Sequence, residues 1–232
     1  MTLGEYLGAG SGTTKLLLHL NGNSTDSSGN ANNGTDTAIT YSQANGKFGQ
    51  GAGLAVTSYS TIPTQTYFNL QSAFTISAWI YQKSNGTGTS YEENILSKDD
   101  GTTNNRSWHF FVRGPADTTN KNKLKFVYNL LTDTGVYSSS TIPLNTWTNV
   151  MIVSTAGTYT FYINGVASDS GSTNITPAYQ GTAPLRIGLY PQSIYTESLP
   201  GNQDEVIIEN TAWTPQQVQK YYSQAQGRYA TL

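Results

Sequence analysis

The feature that most constrains this chain is the period-two alternation of Phe74 to Tyr81, FTISAWIY. Phe74, Ile76, Ala78 and Ile80 fall on one face, and Thr75, Ser77, Trp79 and Tyr81 on the other. Only an extended strand with one face in a core orders apolar residues this way. The segment therefore predicts a central strand.

Similar but shorter runs recur along the chain, each bounded by Gly, Asn, Asp or Pro: Lys15 to Leu20, Gly51 to Val56, Asn94 to Lys98, Ser107 to Arg113, Lys123 to Leu130, Trp147 to Ser154, Tyr159 to Asn164, Leu185 to Leu189 and Glu205 to Glu209. Tight turns are expected at Ala156-Gly157 and Asn164-Gly165. Only Thr214 to Ala225 reads as a helix, with Thr214 as N-cap, Pro215 in the first turn and Val218 and Tyr222 facing the sheets. Strands at this spacing without intervening helices favour a sandwich or jelly roll over a βαβ fold. Residues 1–13 are Gly-rich and aperiodic and read as a flexible arm, 14–226 as one domain and 227–232 as a tail.

A length of 232 residues suffices for a sizeable core, and a net charge of −2 with no basic cluster excludes a phosphate-backbone partner. There is no cysteine, so disulfides, thiolate metal sites and cysteine nucleophiles are excluded together. The first residues lack a basic n-region, and Leu16 to Leu20 is too short for a signal h-region or a membrane span. Low charge and polar turns nonetheless suit a protein that works outside cells, so the expected location is extracellular or on a virion surface.

Several pieces together resemble the laminin-G-like jelly rolls of the concanavalin A-like lectin/glucanase superfamily. They are LLLHLNGNSTDSSGNANNG from Leu16, FTISAWIY, ILSK at 95–98, TWTNVMIV followed by YTFYINGVA within 146–167, LRIG at 185–188 and DEVIIENTAWTPQQV at 204–218. The resemblance implies an all-β fold of two antiparallel sheets, one curved, with binding on the concave face or its loop rim. It does not imply a single function, because lectins, carbohydrate-binding modules, adhesion domains and glycosidases share the fold. It also implies a structural calcium, with Asp26 and Asp204 at the positions of its acidic ligands. The alternative is an Asx-turn at Asp26 and a turn cap at Asp204.

A glycosidase needs two carboxyl groups flanking the scissile bond. The Glu-x-Asp-x-x-Glu strand of the laminarinase-like relatives is absent, and the adjacent pairs Asp204-Glu205 and Glu92-Glu93 should point to opposite faces. Glu205 and Glu209 share a face without a third acid, and His19 and His109 have no triad partner. Catalysis is not expected. Sugar binding asks for aromatic platforms and planar polar groups. Tyr91, Trp108, Tyr190 and Tyr195, with Asp99, Asp100, Asn104 and Arg106, are the candidates, Tyr137 and Asn105 lying nearby. A plain solvated hairpin tip is the alternative for the loop Ser97 to Arg106, and Trp79, Trp147 and Trp213 read as packing residues. The expected role is a non-catalytic glycan-binding or adhesion domain, on a phage virion surface in its sharpest form. The alternative is a structural decoration, fibre or tail module, joined to other subunits of the assembly through residues 1–13. A glycoside hydrolase is the third reading.

Overall fold

The computed structural model describes residues 12–83, 92–101, 105–179, 181–190 and 198–227. In chain order the strands are β1 (Thr14–Leu18), β2 (Thr35–Thr37), β3 (Thr40–Ser42), β4 (Gly51–Leu54), β5 (Tyr59–Ile62), β6 (Phe74–Gln82), β7 (Glu92–Lys98), β8 (Trp108–Arg113), β9 (Lys123–Asn129), β10 (Thr134–Thr141), β11 (Trp147–Thr155), β12 (Thr158–Ile163), β13 (Val166–Gly171), β14 (Leu185–Gly188) and β15 (Gly201–Glu209). Helix α1 (Pro215–Gly227) follows the last strand. The first sheet runs β13-β12-β11-β6-β15-β4-β3, with β1 also on β15, and the second runs β10-β9-β8-β7-β14-β5-β2. This is the two-sheet antiparallel jelly-roll sandwich expected from the sequence.

FTISAWIY forms most of β6, which lies between β11 and β15. Its Ile76, Ala78 and Ile80 are fully buried between the sheets, against Ile95, Leu96, Phe110, Val112, Leu124, Phe126 and Ile187 of the opposite layer. Each large apolar side chain so placed contributes roughly 1.5–3 kcal/mol relative to exposure. The other face of β6 is buried too, since Thr75, Ser77 and Trp79 have no exposed surface. A second apolar cluster there, built on Leu17, Met151, Ile207 and Trp213, lies against Val218 and Tyr221 of α1.

The helix begins as its sequence dictates. Thr214 Oγ1 accepts from the Gln217 amide at 3.2 Å, and the Thr214 amide donates to Gln217 Oε1 at 2.8 Å, a reciprocal capping box. Val218 and Tyr222 both face the first sheet as expected, Tyr222 stacking on Trp79 of β6 with centroids 5.7 Å apart and planes at 13°, and Tyr221 joins them on the buried side. Asn164 and Gly165 both adopt positive φ, 51° and 74°, and join β12 to β13 in the turn that suits the twist of a hairpin.

Strand β15 departs from simple alternation. Glu205 takes φ +50°, and the register to β6 slips between Asp204 and Ile207. The bulge divides one edge of the strand: Gly201 to Gln203 pair with β4, and Val206 to Glu209 with β1. The short or polar strands β2, β3, β5, β10 and β13 carried no usable apolar signal, and four of them, β2, β3, β10 and β13, are edge strands, where solvation tolerates polar sequence. At one edge β10 and β13 close the sandwich through Ser139 Oγ to Asp169 at 3.0 Å and the Ser140 amide to Ser168 Oγ at 3.0 Å.

Of the expected arm, residues 1–11 lie outside the described residues, while the Thr13 carbonyl accepts from the Asn210 amide at 3.0 Å. Of the expected tail, 228–232 lie outside them and Gly227 ends the helix. Among the described residues no helix is long and apolar enough to cross a membrane.

Candidate functional site

The outer face of the second sheet carries a network of polar and aromatic side chains, of which Asn94, Ser97, His109, Phe111 and Lys125 are buried and Tyr59, Thr61, Tyr137 and Arg186 half-buried. Pairing registers place Thr61, Arg186, Ser97, His109 and Val127 in one row across β5, β14, β7, β8 and β9. A second row runs Asn94, Phe111, Lys125 and Tyr137, and Glu92 pairs with Arg113 beyond it. Directly opposed residues of paired strands project to one side, so each row is a continuous strip. Strand β8 sends Trp108, Phe110 and Val112 into the core and His109, Phe111 and Arg113 to this face.

The charges on the face are mostly paired. Arg113 lies 3.7 Å from Glu92 Oε1 and donates to Asp117 Oδ2 at 2.7 Å. Lys125 Nζ reaches both oxygens of Asp133 at 2.7 Å and sits 5.3 Å from the Tyr137 ring centroid. Glu92 Oε2 is 3.2 Å from His109 Nδ1. Burial pushes the Glu92 carboxyl up, but His109, Arg113 and Lys125 outweigh it and hold the group below its usual range. His109 Nε2 lies 2.9 Å from Asn94 Oδ1, and its ring stacks on Tyr190 at 4.4 Å and leans on Phe111 at 4.3 Å. The histidine is thus held in place by its neighbours, as its sequence context suggested.

Three of the sequence candidates meet at one end of this face. Tyr190 OH donates to Asp99 Oδ2 and accepts from Arg106 Nη2 at 2.8 Å, while Arg106 Nε reaches Asp99 Oδ2 at 3.0 Å. Asp99 Oδ1 takes the Gly101 amide at 2.7 Å. Burial, reinforced by the Asp99 charge, raises the Tyr190 phenol far above its ordinary value, so it stays a neutral donor. For Arg106, desolvation works against the charge, but Tyr190 and Asp99 prevail and raise its pKa. Asp100 accepts from Asn105 Nδ2 at 2.8 Å, at the tip of the same hairpin.

Trp108 requires a correction. Its side chain is fully buried between the sheets, its Nε1 donates to the Phe68 carbonyl at 2.8 Å, and its ring lies 6.0 Å from that of Phe126. It is a core residue because the phase of β8 points it inward. Tyr91, Asn104 and Tyr195 lie outside the described residues. Sequence reasoning passed over Glu92, Arg113, Lys125, Arg186 and Tyr59 as members of this face. The alternation in WHFFVR held the signal for Arg113, but with bulky rings on both faces the inward side could not be chosen.

The two expected calcium ligands differ in what they can offer. Asp26 Oδ1 accepts from the Leu17 and Ser28 amides at 3.0 and 2.9 Å, and Oδ2 from Ser28 Oγ and the Asn32 amide at 2.8 and 2.9 Å. Four protein donors occupy that carboxylate, so it does not fit a metal-ligand role and acts as the organiser of its own loop. Asp204 Oδ2 takes the Lys47 and Phe48 amides at 2.8 Å each, while Oδ1 is buried without a hydrogen-bond partner. Burial, with Glu205 adding to it, pushes Asp204 up to about 8. The bulge at Glu205 thus upsets the opposite-face expectation for this pair, although both side chains are buried and His19 Nδ1 lies 3.0 Å from each Glu205 oxygen. Among the described residues no three His, Cys, Asp or Glu side chains gather as a metal cluster.

Two antiparallel sheets packed as a jelly-roll sandwich with one C-terminal helix define the concanavalin A-like class of fold. The chain belongs to the concanavalin A-like lectin/glucanases superfamily, whose laminin-G-type family model matches residues 53–219. Among solved structures it is similar to domain 4 of AbnA, a GH43 extracellular arabinanase from Geobacillus stearothermophilus, in complex with arabinotriose. That likeness has 22% identity and a TM-score of 0.68, over 90% of this chain and 98% of that one. It is also similar to the binding domain of Paraclostridial Mosquitocidal Protein 1, at 19% identity and a TM-score of 0.71, covering 92% of this chain and 52% of that one. The botulinum neurotoxin serotype D binding domain follows at 14% identity and a TM-score of 0.64, over 91% and 52%. The chain spans about half the length of the two toxin domains, and at these identities the likeness is one of fold. No curated protein matches the chain.

Proposed function

We propose that this domain is a non-catalytic glycan-binding module that works outside the cell, with the outer face of the second sheet as its binding surface. The observation that carries this reading is the pair of half-buried rings, Tyr59 and Tyr137, on a rigid sheet face, with half-buried Thr61 and Arg186 beside Tyr59, the combination that stacks on sugar rings and reads hydroxyls. The fold-level neighbour in complex with arabinotriose supports it by analogy. The non-catalytic part rests on the burial of Asp204 and Glu205, which bond backbone amides and His19 away from solvent, and on the separation of Glu92 and Glu93. Glu92 lies with His109 on the outer face, whereas Glu93 is fully buried and accepts from Gln82.

The test is an array of neutral and acidic oligosaccharides, followed by calorimetry on any that bind. The expected result is at least one saccharide whose affinity falls with Tyr59→Ala or Tyr137→Ala. An array without a binder overturns the reading. The calcium proposal narrows to Asp204 alone, whose Oδ1 has no protein donor. A melting temperature raised by calcium chloride and no longer raised in Asp204→Asn supports it; an unchanged midpoint removes it.

A further inference from the structure

The cations of the second sheet are not equivalent. Among the described residues, Arg106, Arg113 and Lys125 each have a carboxylate partner, Lys98 and Lys123 bond neutral oxygens of Gly181 and Asn120, and Arg186 has no side-chain or carbonyl acceptor. Arg186 is half-buried, its Nε is sequestered from solvent without a hydrogen-bond partner, and its guanidinium carbon lies 5.1 Å above the Tyr59 ring. Leaving a buried donor of a charged group unmet is costly, and native proteins rarely do so without a ligand or ion to satisfy it.

The surroundings explain how this arginine is held. Gly188 lies opposite Tyr59 in the β14–β5 register and presents no side chain. Arg186, on the neighbouring strand β14, stacks on the phenol ring. Ser97 faces Arg186 from β7, and its Oγ is buried and also lacks a partner. Thr61 faces Arg186 from β5. A planar, fork-shaped cation, an unmet hydroxyl and an aromatic ring thus sit side by side on adjacent strands.

We infer that this group is a subsite for the anionic substituent of an acidic saccharide. The guanidinium takes a carboxylate or sulfate oxygen pair, and the half-buried Tyr59 ring both orients the guanidinium and borders the sugar. Arginine matches such oxygen pairs in a bidentate way that a lysine cannot reproduce. The inference rests on the glycan-binding reading above and adds its charge class.

The experiment is isothermal titration of the full chain with three probes: a trigalacturonate, a sulfated galactose oligomer, and the corresponding neutral galactotriose. One acidic probe should bind at least tenfold more tightly than the neutral one, with affinity falling as salt rises, and the preferred acidic probe names the substituent. Arg186→Gln should abolish the preference by a factor of ten or more while the melting curve shows a folded protein. Arg186→Lys, which keeps the charge, should recover only part of it. Neutral saccharides that bind as well as acidic ones, with an affinity indifferent to Arg186→Gln, overturn the subsite and leave the glycan reading standing. Failure of every saccharide on the array and in the titrations overturns both.

Discussion

Replacing Asp26 tests whether its carboxylate serves its own loop or a metal. The side chain is 8% exposed and collects four hydrogen bonds, three of them from the backbone amides of Leu17, Ser28 and Asn32. Those amides tie the long first loop to β1, where Ser27 N also bonds Leu17 O at 2.8 Å and Asp26 bridges Leu18. A hydrogen bond to a charged acceptor contributes roughly 1.5–3 kcal/mol. Some of the orphaned amides regain water when the loop relaxes, and removing the carboxylate also removes its own desolvation cost, so the sum is discounted. Asp26→Ala should then lose about 3–4 kcal/mol, a large part of a typical domain stability of roughly 5–15 kcal/mol. Asp26→Asn, which keeps one acceptor oxygen, should lose about half as much. Urea unfolding in EDTA and again in excess calcium chloride measures it, and the loss should be equal in both. A loss below about 1 kcal/mol, or one that appears only with calcium present, would refute the loop-organiser account.

Trp108→Phe should lower stability by about 1–3 kcal/mol, through a small cavity and an unmet Phe68 carbonyl, while leaving saccharide affinity unchanged. An affinity loss without a stability loss would return Trp108 to the binding surface. Burial pushes the Glu93 carboxyl up to about 8 from an ordinary 4.5. The folded state therefore keeps a proton that the unfolded chain has lost, and stability contributed by this group is full below pH 4.5 and declines as pH rises to about 8. Glu93→Gln should flatten that decline in melting temperature, and an unaltered pH profile would exclude Glu93 as its source. Gly165→Ala adds a side chain at φ +74° and sets a Cβ 3.0 Å from the Tyr222 side chain, so it should cost about 1 kcal/mol or more in chemical denaturation. A neutral effect there would mean that the β12–β13 turn does not need its left-handed backbone.

Local chemistry was legible in the sequence wherever it acts through near neighbours. The alternation of FTISAWIY, the Asn164-Gly165 turn and the Thr214-Pro215 helix start each appear where the residues require, because pleat, positive φ and capping depend on a few adjacent positions. The ordered motifs also sufficed for the jelly-roll family. Tertiary structure decided what distant pairing controls. The face on which Trp108 lies could not be read from β8, since both of its sides are apolar or buried. The edge strands β2, β3, β10 and β13 form on polar sequence because a neighbouring strand offers them backbone partners. Asp99 and Tyr190, 91 positions apart, meet only because β7 and β14 pair. For the same reason Arg186 faces an unmet Ser97 hydroxyl and an aromatic ring instead of a carboxylate. Sequence alone determined the strongly patterned elements and the family, and the register between strands decided the edge strands and which side chains share a face.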